Sequence, residues 1–239
     1  MFEQADVIVL FCSVPRSDNL ISALSELLSD DERSKAARFV FDDHGRLYVT
    51  AHALLRHSLW CATGRTDTPF RVNGFGKPEI VETGGGPPVK FNISHSGALA
   101  VCSLSPRFEV GVDVEEVDDS RSFEEVVETQ FTSYEQDQLA AYSGAARANA
   151  FFQFWTLKEA LVKALGVGLE GMNRYGFDLD PPSLAVMADP HEALAVHVEQ
   201  RLLTTSHWAS LAVLRPPDTS VAVEWRCVPA EQIALGFRE

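Results

Sequence analysis

The stretch FFQFWTLKEALVKALGVGL, Phe151 to Leu169, limits the choice of fold more than any other part of the chain. At helical spacing Phe154, Leu157, Leu161, Ala164 and Leu165 form one apolar stripe, while Glu159 and Lys163 stand one turn apart on roughly the opposite side. Gly166 marks the C-terminal end, where a left-handed residue is wanted. A Glu-to-Lys pair at this spacing is ordinarily a surface contact worth roughly 0.3 kcal/mol. Phe152 and Trp155 lie on or beside the Glu159 side, however, and bulky aromatics there imply that another segment or a ligand covers it. An acid and a base held under such a cover would serve a site.

A second segment supplies more carboxylates. In VGVDVEE, Val110 to Glu116, the valines alternate with Gly111, Asp113 and Glu115, so the sequence predicts a core strand with two acids on one face. The glycine is expected to keep that face open for something to approach. Two carboxylates about 4 Å apart repel by about 4 kcal/mol at an effective dielectric of 20. If Glu159 joins them, a cation is needed, and an oxygen-only set with open positions suits Mg²⁺.

Charge narrows the choice of partners. The 239 residues carry a formal charge of −14, which argues against nucleic acid or an anionic membrane. Residues 1–110 hold 11 Lys and Arg against 13 Asp and Glu, whereas residues 111–239 hold 9 against 21. Such asymmetry suits a molecule that grips anionic groups with one half and a metal cation with the other. Four scattered cysteines, Cys12, Cys61, Cys102 and Cys227, suggest neither a zinc site nor a disulfide framework, and fit a reducing cytoplasm. The apolar run Val7 to Cys12 is too short to span a bilayer and reads as a buried strand.

Between these landmarks, a helix is predicted over Asn19 to Leu28, another after the cap Ser29, and a long one from Tyr48 to Trp60 that Gly64 closes. NGFGKP, Asn73 to Pro78, is a turn-rich loop that displays Lys77 beside Gly74 and Gly76. A half-buried strand from Val89 to Ser94 delivers His95, and Ala98 to Leu104 returns as a hairpin. Further strands are predicted at Phe177 to Leu179, Ala193 to Glu199, Ser206 to Leu214 and Val221 to Val228. Two echoes, HSGALAV (95–101) with HWASLAV (207–213) and HALLR (52–56) with EALVK (159–163), have offsets of 112 and 107. They suggest two copies of one α+β unit, residues 1–110 and 111–239, with a site between them.

NGFGKP, FNISHSG, GVDVEE and FWTLKEALVKALGVGL, in this order, resemble the 4'-phosphopantetheinyl transferases of the surfactin-synthetase-activating, two-half type. The resemblance runs from about Asp31 to Leu169. It implies an α+β fold of two similar halves related by pseudo-twofold symmetry. It also implies transfer of the phosphopantetheine arm of coenzyme A to a serine of an acyl or peptidyl carrier protein, with Mg²⁺ at the diphosphate and adenosine 3',5'-bisphosphate released. By motif, Asp113, Glu115 and Glu159 would hold the metal, and Lys163 would neutralise charge on the diphosphate. Glu159 would also take the serine proton, directly or through a metal-bound water. Arg46, Lys77, Ser94 and His95 would hold the 3'-phosphate end of coenzyme A, and Gly76 would pass close to the adenine. The chain departs from the family at Glu32, where basic residues are common, with Arg33 and Lys35 beside it, and at Val117, where some relatives have threonine.

Two other readings use the same residues. A Mg²⁺-dependent hydrolase of a nucleotide or diphosphate would keep the three acids, and a non-catalytic carrier-binding module would have lost a metal ligand or Lys163. The duplication further predicts a monomer that builds the whole site from one chain.

Overall fold

The computed structural model describes residues 1–72, 74, 78–81, 89–168, 171–187 and 195–237. Within them one succession of elements occurs twice. The first copy runs β1 (Val7–Ser13), α1 (Asp18–Ser25), α2 (Asp30–Ala36), α3 (Asp42–Thr63), a small hairpin β2 (Phe70–Val72) and β3 (Pro78–Ile80), then β4 (Lys90–Ser96) and β5 (Leu99–Ser105). The second runs β6 (Glu109–Glu116), α4 (Glu124–Gln130), α5 (Ser133–Leu139), α6 (Gly144–Leu165), the hairpin β7 (Tyr175–Leu179) and β8 (Pro182–Met187), then β9 (Val196–Leu202) and β10 (His207–Leu214). A last strand, β11 (Val223–Cys227), and helix α7 (Ala230–Ala234) follow.

Sheet order repeats as well. In each copy the first strand pairs antiparallel with the last and the last with the one before it, giving β1-β5-β4 and β6-β10-β9. β11 adds to the free side of β1 in parallel, with Val9 opposite Trp225. The chain divides into two compact units, Met1–Phe108 with Val221–Glu239, and Glu109–Ser220. The division falls between β5 and β6, and residues 221–239 lie with the first unit. The reason is the unpaired edge of β1, which β11 completes.

The long helices are the keystone of each unit. Both have 22 residues and end on a left-handed glycine, Gly64 and Gly166, each at φ 71°. In the first unit Leu54, Leu55 and Leu59 of α3 pack with Ile8, Leu10, Phe91 and Leu104. In the second, Phe154, Leu157 and Leu161 of α6 pack with Phe131, Leu139, Tyr175 and Phe177. Aligning the helices on their cap glycines sets Arg56 against Lys158, not HALLR against EALVK. Similarly, His95 lies on β4 whereas His207 opens β10. The duplication therefore stands in the order of elements, while the two short echoes that suggested it do not mark equivalent positions.

Other expectations shift in detail. Helices α4 and α5 and strand β8 were not anticipated, and α3 begins at Asp42, ahead of the predicted Tyr48. Asn92 and Ser94, expected on the open face of a half-buried strand, are buried. Among the described residues no helix is long and apolar enough to cross a membrane.

Candidate active site

The site is built where α6 presses on β6. Gly111 makes that possible: a Cβ there would stand 2.0 Å from the Ala160 carbonyl oxygen and 2.4 Å from the Ala164 amide nitrogen. The open strand face foreseen from the sequence is therefore filled by the backbone of α6 itself. The small side chains Ala160 and Ala164 permit the same close approach from the helix. One consequence is that Glu159 and Lys163, which flank those alanines, are carried to the acidic face of β6.

Lys163 Nζ donates to Asp113 Oδ1 at 2.6 Å and lies 3.9 Å from Glu159 Oε2. Asp113 is 2% exposed, and the Glu159 side chain 15%. Burial, reinforced by the charges of Asp113 and Glu115 and partly offset by Lys163, pushes the Glu159 carboxyl up to about 7. Burial disfavours the Lys163 ammonium, but Asp113, Glu159 and Glu115 outweigh it and hold the group above the usual lysine range. The cluster thus pairs a carboxyl poised near neutrality with an ammonium that stays charged.

Across β10, Ser210 stands opposite Asp113 and Trp208 opposite Glu115. Ser210 Oγ lies 2.8 Å from Thr156 Oγ1 of α6, and Gln200 Nε2 donates to Ser210 Oγ at 2.9 Å and to the Gln153 carbonyl at 2.9 Å. Trp208 Nε1 donates to Asn149 Oδ1 at 2.8 Å. Trp155, one of the aromatics that implied a cover, is stacked on Phe151, in line with Phe123.

Asp113, Glu115 and Glu159 are all oxygen donors, the chemistry a hard divalent cation takes. Among the described residues, however, no three His, Cys, Asp or Glu side chains converge as a metal site requires. Lys163 instead supplies the positive charge between Asp113 and Glu159.

Of the residues expected at coenzyme A, Lys163 belongs to the cluster above, while Arg46, Ser94 and His95 lie in the first unit. Arg46, on α3, donates to Asp42 Oδ2 at 2.5 Å, to Asp18 and to the Arg16 carbonyl. Ser94 is buried on β4, and His95, next to it, is exposed. Gly76 and Lys77 lie outside the described residues. Glu32 closes a capping box on Ser29 and receives His52 at 3.0 Å and Arg56 at 3.1 Å. Arg33 pairs with Asp30 and the Leu28 carbonyl, and Lys35 lies over the Tyr48 ring. Val117 donates its amide to the Ser206 carbonyl at 2.7 Å.

Sequence reasoning passed over one charged pair beside the site. Lys158 Nζ donates to Glu135 Oε2 at 2.7 Å with both side chains 0% exposed. Two signals were available. Thr132 and Glu135 have the spacing of a capping box, and Lys158 falls within the stripe of Phe154 and Leu161, where a charge requires a buried mate.

A strand with two acids, a helix that sets an acid and a lysine against it, and one repetition of the whole succession define a duplicated α+β protein with an acid–lysine site. Residues 109–223 match the family model of the 4'-phosphopantetheinyl transferase superfamily. The chain is 28% identical over 207 residues to the 4'-phosphopantetheinyl transferase HetI of Nostoc sp., covering 86% of this chain and 81% of that one. It is 28% identical over 218 residues to a phosphopantetheinyl transferase of Thraustochytrium sp., covering 83% and 75%. Against the L-aminoadipate-semialdehyde dehydrogenase-phosphopantetheinyl transferase of Xenopus laevis it is 30% identical over 172 residues, covering 65% of this chain and 55% of that one. The family match thus lies over β6, α6 and the strands that follow, and the likeness to the named transferases extends over most of the chain.

Proposed function

We propose that this chain transfers the 4'-phosphopantetheine arm of coenzyme A to a serine of an apo acyl or peptidyl carrier protein, as a two-half member of its superfamily. The observation that carries the reading is the Glu159–Lys163–Asp113 cluster, with a carboxyl near neutrality beside a permanent ammonium. In the reaction the serine oxygen bonds to the phosphorus that bears pantetheine. The bond from that phosphorus to the bridging oxygen breaks, and adenosine 3',5'-bisphosphate leaves. Glu159 is the carboxylate placed to accept the serine proton, directly or through a metal-bound water. Lys163 suits the developing charge on the departing diphosphate oxygen, as a donor fixed before the reaction begins.

Asp113, Glu115 and Glu159 offer the oxygen donors that a magnesium ion takes, on side chains that α6 and β6 bring to one face. When bound by Asp113, Glu115 and Glu159, Mg²⁺ would supply charge neutralisation at the diphosphate. Arg46, Lys77, Ser94 and His95 are proposed for the 3'-phosphate end of coenzyme A, and Gly76 for the adenine. Asp18 and Asp42 already hold Arg46, so a phosphate there would exchange for a carboxylate.

Single-turnover transfer to purified apo-carriers, read as mass gained on the serine, tests the activity. Mg²⁺-dependent gain is expected with at least one fatty-acid, polyketide or peptide carrier. Release of free 4'-phosphopantetheine without a carrier would favour a hydrolase instead. For the grip on coenzyme A, calorimetry should find dephospho-coenzyme A weaker than coenzyme A, and Lys77→Ala should erase much of the difference. Equal affinities in the parent would remove those residues from the 3'-phosphate.

A further inference from the structure

We propose that the buried pair Glu135–Lys158 is a positioning device that fixes the rotation of α6 and so presents Glu159 and Lys163 to β6. Resting on the transferase reading, it assigns a role to two residues that do not reach the acid–lysine cluster.

The Glu135 carboxylate is saturated from three elements. Oε2 accepts from Lys158 Nζ of α6 at 2.7 Å, from the Thr132 amide at 2.9 Å and from Thr132 Oγ1 at 3.0 Å, while Oε1 accepts from the Phe177 amide of β7 at 3.1 Å. Lys158 donates in addition to the Tyr175 carbonyl, and its ammonium lies 5.5 Å from the centre of the Phe131 ring. Both side chains are shielded from solvent and the geometry of the pair is fully specified.

Stability alone does not account for such a pair, since well-packed apolar residues of similar volume do as well or better. Orientation does. Successive residues on a helix point about 100° apart, so holding Lys158 against α5 and β7 fixes where Glu159 points and, one turn later, Lys163. On the other side, the Gly111 contact sets how near α6 comes to β6 but consists of small, smooth groups around which a helix can turn. The hydrogen bonds of Thr156 to Ser210 and of Gln200 to Gln153 steady that side with neutral groups. Lys158, away from the cluster, is tied by charge to a carboxylate that is itself held by Thr132 and by Phe177.

The first unit contains the same device. Arg56 meets Glu32, the capping-box acid of α2, at 3.1 Å, with both side chains 10% exposed. There the residue after the cation is His57, and no acid follows. Tying the long helix to a capping carboxylate is thus common to both copies, and in the second copy it aims a site.

The test is the double variant Glu135→Leu with Lys158→Met in the full chain, which replaces the charges with apolar bulk. Thermal melting should be within a few degrees of the parent or higher. Steady-state transfer from coenzyme A to an apo-carrier should lose at least tenfold in kcat, with KM for coenzyme A changed less than threefold. A folded double variant with kcat within twofold of the parent overturns the proposal. If the double variant does not fold, Thr132→Val decides, since at constant shape it removes one donor to Glu135 together with the cap acceptor of the Glu135 amide, which by itself lowers the melting temperature. A threefold or greater loss in kcat at unchanged KM in a variant that still melts cooperatively then supports positioning, and an unchanged kcat refutes it. A parent that transfers nothing to any carrier would refute the transferase reading itself, a result distinct from these.

Discussion

Glu159 is the residue on which the proposed chemistry turns, and its environment can be altered one atom at a time. Glu159→Gln keeps size and an oxygen donor but removes the base and a charge. Turnover in single-turnover transfer should fall by at least ~10²-fold, the scale of a positioned base, with coenzyme A affinity reduced less. Near-normal transfer would return Glu159 and Lys163 to a plain ion pair. Glu32 offers a prediction about stability. Burial raises its carboxyl, but the hydrogen bonds from His52, the Ser29 amide and Arg56 outweigh this and bring it from 4.5 down to about 2. A depressed acid stabilises the fold above its unfolded value and loses that contribution as pH falls through its folded value. Urea unfolding should therefore show Glu32→Gln weaker than the parent by up to about 3 kcal/mol above pH ~5. The gap should close as pH falls from about 4.5 towards 2, and a gap independent of pH would show that the charge on Glu32 contributes nothing.

At the scale of elements, the contact between β6 and α6 decides whether there is a site at all. Gly111→Ala adds one methyl where backbone atoms stand at 2.0 and 2.4 Å, so the helix must withdraw or the strand must bend. A loss of about 1–3 kcal/mol is expected for such overpacking. Transfer should fall along with stability, because Lys163 and Asp113 are separated by the same movement. Thermal melting and transfer measured on one preparation check this, and a variant as stable and active as the parent would mean the contact is looser than described. The strand alternation, the helix period and the Gly166 cap were legible in the sequence because they depend on neighbours along the chain. What Gly111 is for was not, since alternation alone cannot say whether a ligand or a helix fills the face that a glycine leaves bare.

For the whole molecule, the duplication predicts a working monomer, and light scattering that found transfer only in a dimer or trimer fraction would contradict it. Deleting residues 221–239 should be severe even though they lie far from the acid–lysine cluster in sequence. It strips β11 from β1 and uncovers a strand edge with Val7, Ile8 and Val9 buried beside it. Size-exclusion chromatography should show the shortened chain associated or insoluble, and a soluble, cooperatively melting product would count against a structural role for β11.

The sequence by itself determined the α+β class, the acids of β6, and the acid and lysine of α6. Each of these rests on a period, a cap or a motif contained in one short segment. Only the tertiary structure decided that β11 completes the first sheet, that α6 occupies the acidic face of β6, that Lys163 sits on Asp113, and that Glu135 holds Lys158. These are pairings between residues tens to hundreds of positions apart. They form because a strand edge, a bare glycine and a buried charge must each find a mate, and the local pattern states the need without naming what meets it.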